Sequence, residues 1–365
     1  MLISRPDMQP GRVLFLEHQS SVLKNNPLND SIHRLHPVWV PPGYTEKAEE
    51  GQRFPLVFEL AGFLGSGLGR IAWRPFDETI IERLNRLYHE QRIPDLIVVF
   101  PDAFTRLGGN QYINSSAIGA YGDYINQELL AFVDHTLPTL KSPEKRIIYG
   151  KSSGGYGAIM AAMLYPNTWG NVGMLSGDCF FDTLYRHDWH NTLTTLSKYS
   201  PQALIAESSN LPNSDIAGLL ASGIDDGRVS AFLDAMWRNE RPNHQESHAL
   251  MNICMAATYD PDPMVPNGFR IPFNAYTGEI IKERWQQWLS WDPLHRLHEH
   301  ATHLRELNHL YLDCGWFDQY HIHYGMRQLS QQLTHLNIEH TYLEFSGTHS
   351  GIDQRIDKAL SILSQ

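Results

Sequence analysis

Residues 146–160, RIIYGKSSGGYGAIM, read as a short apolar strand, an abrupt turn and a helix built on small side chains. Ile147, Ile148 and Tyr149 suit a buried strand, and Gly154, Gly155, Gly157, Ala158, Ala161 and Ala162 suit a helix pressed on a sheet. Between them stands Gly150-Lys151-Ser152-Ser153-Gly154, the spacing G-x-S-x-G. A serine at its centre sits on a strained turn that lifts the hydroxyl clear of the sheet. Glycines two before and two after remove the side chains that would collide there. Ser152 is therefore the candidate nucleophile, and a Gly-Ser turn without chemistry is the competing reading.

Upstream of this unit, residues 12–17 and 33–40 read as strands of mixed polarity, suited to an antiparallel edge. Residues 54–60, FPLVFEL, form a more apolar strand that runs into Ala61-Gly62-Phe63-Leu64-Gly65-Ser66-Gly67. A glycine-rich loop after a central strand can aim a backbone N–H at a reacting carbonyl. Residues 76–90 carry a helical stripe, 96–100 a buried strand, and 124–137 a second stripe. The loop between the last two is rich in Gly, Asn, Ser and Tyr; it is a candidate pocket wall, with Tyr112 a candidate substrate contact.

Downstream, residues 171–176 read as a strand, and Asp178 just beyond it is placed to meet a polar or cationic substrate group or to cap a helix. The alternation of strand and helix predicts an α/β fold with a mostly parallel, doubly wound sheet. From 182 to 307 the pattern changes to helical stretches, such as 230–238 and 283–289, separated by proline-rich joints. This segment reads as a helical insertion covering the catalytic edge, with Trp285, Trp288 and Trp291 as packing residues. His295, His298, His300, His303 and His309 crowd its end, but no H-E-x-x-H or matched acid or thiol accompanies them, so a solvated face is expected and no metal. The pattern then resumes with strands at 308–314 and 341–345 and helices after each.

A serine hydroxyl needs a base to take its proton and an acid to orient that base. Ser152, Asp318 and His349 meet the order serine, acid, histidine, with the last two on loops straight after strands. Asp313 is the rival acid but lies inside a strand. The oxyanion donors are expected to be the backbone N–H of Ser153 and one from Gly62 or Phe63. Lys151, beside the nucleophile, is a further candidate substrate contact.

Composition sets the limits around this reading. The chain has 365 residues and a formal charge of -11 without a basic cluster, which disfavours nucleic acid as a partner. Cys179, Cys254 and Cys314 are too few and too widely spaced for a disulfide framework. The first twenty residues lack an apolar leader core, and no apolar run approaches a membrane span. A cytoplasmic protein without cofactor or membrane partner is expected, with self-association open.

VWVPPGY at 38–44, the elbow GKSSGGYGA, LDCGWFD at 312–318 and FSGTHSGID at 345–353 resemble the esterase D family of α/β-hydrolases. That family includes enterochelin-type siderophore esterases, feruloyl esterases, S-formylglutathione hydrolases and mycolyltransferases. The resemblance covers roughly 10–181 and 308–365. It implies an α/β-hydrolase catalytic domain made of 1–181 and 308–365, a cap made of 182–307, and a serine hydrolase triad on Ser152, Asp318 and His349. Ala61-Gly62 stands where many relatives have His-Gly, and Lys151 where an uncharged residue is common. The expected activity is hydrolysis of a small-molecule carboxylic ester through an acyl-enzyme. Thioester hydrolysis or acyl transfer would use the same machinery. A catalytically silent binding protein and metal chemistry at the histidines are the rivals.

Overall fold

Eight strands make one sheet in the order β1-β2-β4-β3-β7-β8-β9-β10. They are β1 (Arg12–Gln19), β2 (His33–Val40), β3 (Leu56–Leu60), β4 (Ile97–Val99), β7 (Arg146–Lys151), β8 (Asn171–Leu175), β9 (His309–Gly315) and β10 (Thr341–Phe345). Two short strands, β5 (Asn114–Ser115) and β6 (Gly119–Ala120), pair apart from it. The computed structural model describes residues 9–199, 218–238 and 242–365; the first eight residues of the N-terminal reading and residues 200–217 and 239–241 of the insertion lie outside the described residues. β1 and β2 are antiparallel, and β2 joins β4 antiparallel. From β4 to β10 every pairing is parallel, as the alternation of strand and helix predicts.

Strands covered on both faces have no reason to alternate in polarity, which is why β3, β4 and β8 are buried throughout. The alternation survives in direction: Phe58 and Ile148 join one core, whereas Val57, Ile147 and Tyr149 join the other. The second core is closed by the helices Ile80–His89 and Arg355–Leu363. Asp357 ties them, accepting from Arg83, from Arg86 at 2.9 Å and from Arg92 at 3.2 Å. The first core is closed by the helices Ser153–Leu164, Leu130–Thr136 and Ile322–His335.

Two helices differ locally from the sequence reading. The stripe at 76–90 becomes helical only at Ile80, because Thr79 and Glu82 form a reciprocal capping box that fixes the start. The stripe at 124–137 opens with a π-helical turn, Tyr124–Leu129.

β8 and β9 are neighbours, so residues 176–308 are one long crossover between adjacent strands. Its helices include Trp189–Leu196, Arg228–Met236, His244–Tyr259 and Lys282–Leu289. Trp285 and Trp288 stack at 5.6 Å, and Trp288 packs edge-on to Tyr185, Tyr259 and Trp189. The histidines after them are not a uniformly solvated face. His295 and His298 are exposed, but His300 is buried beside Arg296, and His303 Nδ1 bonds the Met163 carbonyl at 2.7 Å. These rings dock the end of the insertion on the elbow helix.

Candidate active site

The turn between β7 and the helix Ser153–Leu164 places Ser152 at φ 58° and ψ -125°, a region that a side chain enters only at a cost of about 1–3 kcal/mol. Its N–H donates to Leu175 O at 3.0 Å and its carbonyl accepts from Tyr156 N at 2.9 Å, so the strained residue is held from both sides. A Cβ at Gly150 would stand 2.5 Å from Leu60 O and 2.6 Å from the Gly154 carbonyl carbon. One at Gly154 would overlap the same Leu60 carbonyl. The two glycines thus let β7, the helix and the end of β3 close on one another.

The loops after β9 and β10 meet in the same way. A Cβ at Gly315 would strike the Gly347 carbonyl, and Trp316 N donates to Phe345 O at 2.9 Å and Phe317 N to Gly347 O at 3.0 Å. This contact brings His349 to Asp318. His349 Nδ1 lies 2.8 Å from Asp318 Oδ2, and His349 N donates to Gln319 Oε1 at 2.9 Å. Asp318 Oδ1 accepts from Tyr320 N at 2.9 Å. Burial works against ionisation of Asp318, but the hydrogen bond and charge of His349 outweigh it and hold the carboxyl below its ordinary value. Asp313 faces elsewhere: its Oδ2 accepts from Tyr311 OH at 2.8 Å and from Arg355 Nε at 3.0 Å, and burial pushes it up to about 6.

Ser152 Oγ donates to Asp178 Oδ1 at 3.3 Å, and no hydrogen bond joins it to His349 among the described residues. Asp178 is buried, and its Oδ2 accepts from Tyr185 OH at 2.7 Å, Gln111 Nε2 at 3.2 Å and Ser153 Oγ at 3.3 Å. Burial raises its pKa, opposed by these hydrogen bonds and by the charge of His349. The carboxylate that touches the Ser152 hydroxyl therefore also senses the imidazole.

Gly62 lies against the elbow: a Cβ there would sit 3.2 Å from Lys151 O and 3.6 Å from Ser152 Cβ. The turn is pinned by Gly65 N to Gly62 O and Leu64 N to Gly108 O, each 2.9 Å. The Phe63 N–H has no hydrogen-bond partner among the described residues, and the Ser153 N–H opens a helix, where no carbonyl of the preceding turn can reach it. Tyr112 is buried, and its hydroxyl donates to Ala61 O at 2.6 Å, so its place is behind the turn. Lys151 is half-buried at the end of β7; burial pushes its ammonium down, with Asp353 acting against that. The described residues contain no group of three or more His, Cys, Asp or Glu arranged to hold a metal ion.

The sequence reading missed Gln111, Tyr185, Tyr320 and His248. Tyr320 packs edge-on to His349 at 4.9 Å, and its hydroxyl lies 3.3 Å from Nε2 of His248, which comes from the insertion. Its place two residues after Asp318 was the available signal. Gln111 gave none.

A family model described as "Putative esterase" matches residues 36–353. The chain belongs to this family. Solved structures share the fold of this family member. A ferulic acid esterase is 14% identical with a TM-score of 0.57, covering 98% of this chain and 99% of that one. Fluorophosphonate-binding serine hydrolase F of Staphylococcus aureus is 16% identical with a TM-score of 0.56, covering 98% and 100%. The S-formylglutathione hydrolase of the same organism is 14% identical with a TM-score of 0.55, at the same coverage. The uncharacterized protein YbbA of Bacillus subtilis is 21% identical over 168 residues, 41% of this chain and 59% of that relative's length. No helix among the described residues is long and apolar enough to cross a membrane.

Proposed function

We propose that this family member hydrolyses a small-molecule carboxylic ester through an acyl-enzyme. The observation that carries the reading is the 2.8 Å contact of His349 Nδ1 with Asp318, made by loops that leave β9 and β10 at the same edge of the parallel sheet at which β7 ends in the strained Ser152. With Nδ1–H held by Asp318, Nε2 is the free base. It takes the Ser152 proton as Oγ attacks the carbonyl carbon, and returns it to the departing alkoxide oxygen. Water then attacks the acyl-serine by the same route, releasing acid and restoring the hydroxyl. The N–H groups of Ser153 and of Phe63 or Gly62 face the oxyanion, and the positive end of the elbow helix adds to them. To reach Nε2, the Ser152 hydroxyl turns from Asp178. Hydrolysis at an acyl group is also what the names of two structural relatives state, a ferulic acid esterase and an S-formylglutathione hydrolase.

Residues 182–307 act as a cap over this edge in the same proposal. Their support is contact: Met255 Sδ lies 2.8 Å from Gln111 Nε2, Tyr156 OH donates to Trp291 O at 3.0 Å, and His248 reaches Tyr320. A cytoplasmic site of action completes the reading. Ser152→Ala is expected to end turnover of a chromogenic acetate ester and labelling by a fluorophosphonate while leaving the thermal melt in place. Retained turnover refutes the assignment.

A further inference from the structure

The two oxygens of Asp178 are served unequally. Oδ2 accepts from Tyr185, Gln111 and Ser153, whereas Oδ1 has the Ser152 hydroxyl at 3.3 Å and no other donor among the described residues. Catalysis takes that donor away, because the hydroxyl must turn to His349. A buried acceptor, 4% exposed, would then stand empty beside the reacting carbon, and a buried polar group without a partner is costly. Gln111 Oε1, on a side chain 1% exposed, is also without a donor among the described residues. This wall of the site offers acceptors, and what it lacks is a donor.

We infer that Asp178 Oδ1 selects esters whose acyl group carries a hydrogen-bond donor, a hydroxyl or an ammonium, on the carbon next to the scissile carbonyl. The inference rests on the ester hydrolase reading and names its substrate class. A donor at that carbon is a near neighbour of the attacking oxygen, and Oδ1 is itself 3.3 Å from that oxygen, so the orientation that turns the donor toward Asp178 brings it within reach of Oδ1, which one enantiomer of a chiral acyl group allows and the other does not. It replaces the hydroxyl that catalysis removes. An ammonium adds charge to the bond; a plain acyl chain leaves Oδ1 bare.

The test compares three ethyl esters of matched size by proton release at constant pH: propionate, both enantiomers of lactate, and both enantiomers of alaninate. With the wild-type chain, kcat/KM for one enantiomer of lactate and one of alaninate is expected to exceed propionate by about 10- to 100-fold. In Asp178→Asn the amide oxygen stays with the three donors at the Oδ2 position, so the NH2 replaces Oδ1, where it can donate to a hydroxyl oxygen but repels an ammonium. The alaninate ratio should therefore collapse toward one while the lactate ratio persists in part. A purely structural Asp178 would lower all three esters together and leave the ratios unchanged, which overturns the inference. Turnover of propionate with wild-type ratios near one overturns it as well, without need of the variant, and leaves the hydrolase reading standing. Turnover of no ester at all removes both.

Discussion

Two buried carboxyls lie within six residues of each other at the end of β9, and their separate substitution distinguishes an orienting acid from a structural one. In Asp318→Asn, one side-chain position must still accept from Tyr320 N, now 2.9 Å away, which leaves the amide NH2 toward His349 Nδ1. That group cannot accept the Nδ1 proton, so the imidazole is driven to the wrong tautomer and loses the charge that steadies its protonated form. The expected loss in kcat is about 10³- to 10⁴-fold, or roughly 4–5.5 kcal/mol of barrier. Asp313→Asn instead weakens the bonds from Arg355 and Tyr311 behind the sheet. It should cost about 1–3 kcal/mol of stability and change kcat only a few-fold. Steady-state kinetics on a chromogenic ester from pH 5 to 9, with thermal melts of both variants, separate the two. A loss beyond a hundredfold in Asp313→Asn with less than tenfold in Asp318→Asn would refute the assignment.

Gly154→Ala puts a methyl group on the Leu60 carbonyl, so the elbow cannot close and both melting temperature and fluorophosphonate labelling should fall; an unchanged melt counts against this account of the spacing. Tyr112→Phe removes the hydroxyl that holds Ala61 O, with an expected cost of about 1 kcal/mol and a drop in kcat at nearly constant KM, read by denaturation and initial rates. Asp357 is partly buried, which opposes its charge, but hydrogen bonds from Arg83 and Arg86 win and hold its pKa below the ordinary value. Folding therefore favours the ionised form, and this stability is present above about pH 3.9 and lost as pH falls through the lower, folded value. Melting temperature should accordingly drop more steeply with acid in the wild type than in Asp357→Asn.

The parallel strands were legible because each is a short apolar run closed by a turn residue, Pro101 after β4 and a glycine at or near the end of the others, and the elbow because its glycines answer a steric demand that the spacing itself states. Ser152, Asp318 and His349 could be proposed together since each stands at or within four residues of the end of a strand. The helix His244–Tyr259 was harder to see: from Asn252 to Tyr259 every residue is buried, so no polar stripe marks a period. Its signal was local, the capping pair Asn243 and Glu246. Tyr112 shows another limit, since sequence can mark a loop as lining a pocket but cannot say which of its side chains turn inward. Gln111 and Tyr185 come to Asp178 from 67 and 7 residues away, and nothing local to Gln111 records that meeting.

The placement of β9 and β10 at one flank of the sheet has a temporal consequence. A chain leaving the ribosome completes β7, its serine turn and β8 while the segment bearing Asp318 and His349 is still unmade. The six sheet strands β1, β2, β4, β3, β7 and β8 are contiguous in the sheet order, so this portion can pair first and leave the outer edge of β8 open. On the proposed reading, the nucleophile is then present without its base through the synthesis of more than a hundred further residues, and reactivity switches on only when the final two strands zip onto the waiting edge.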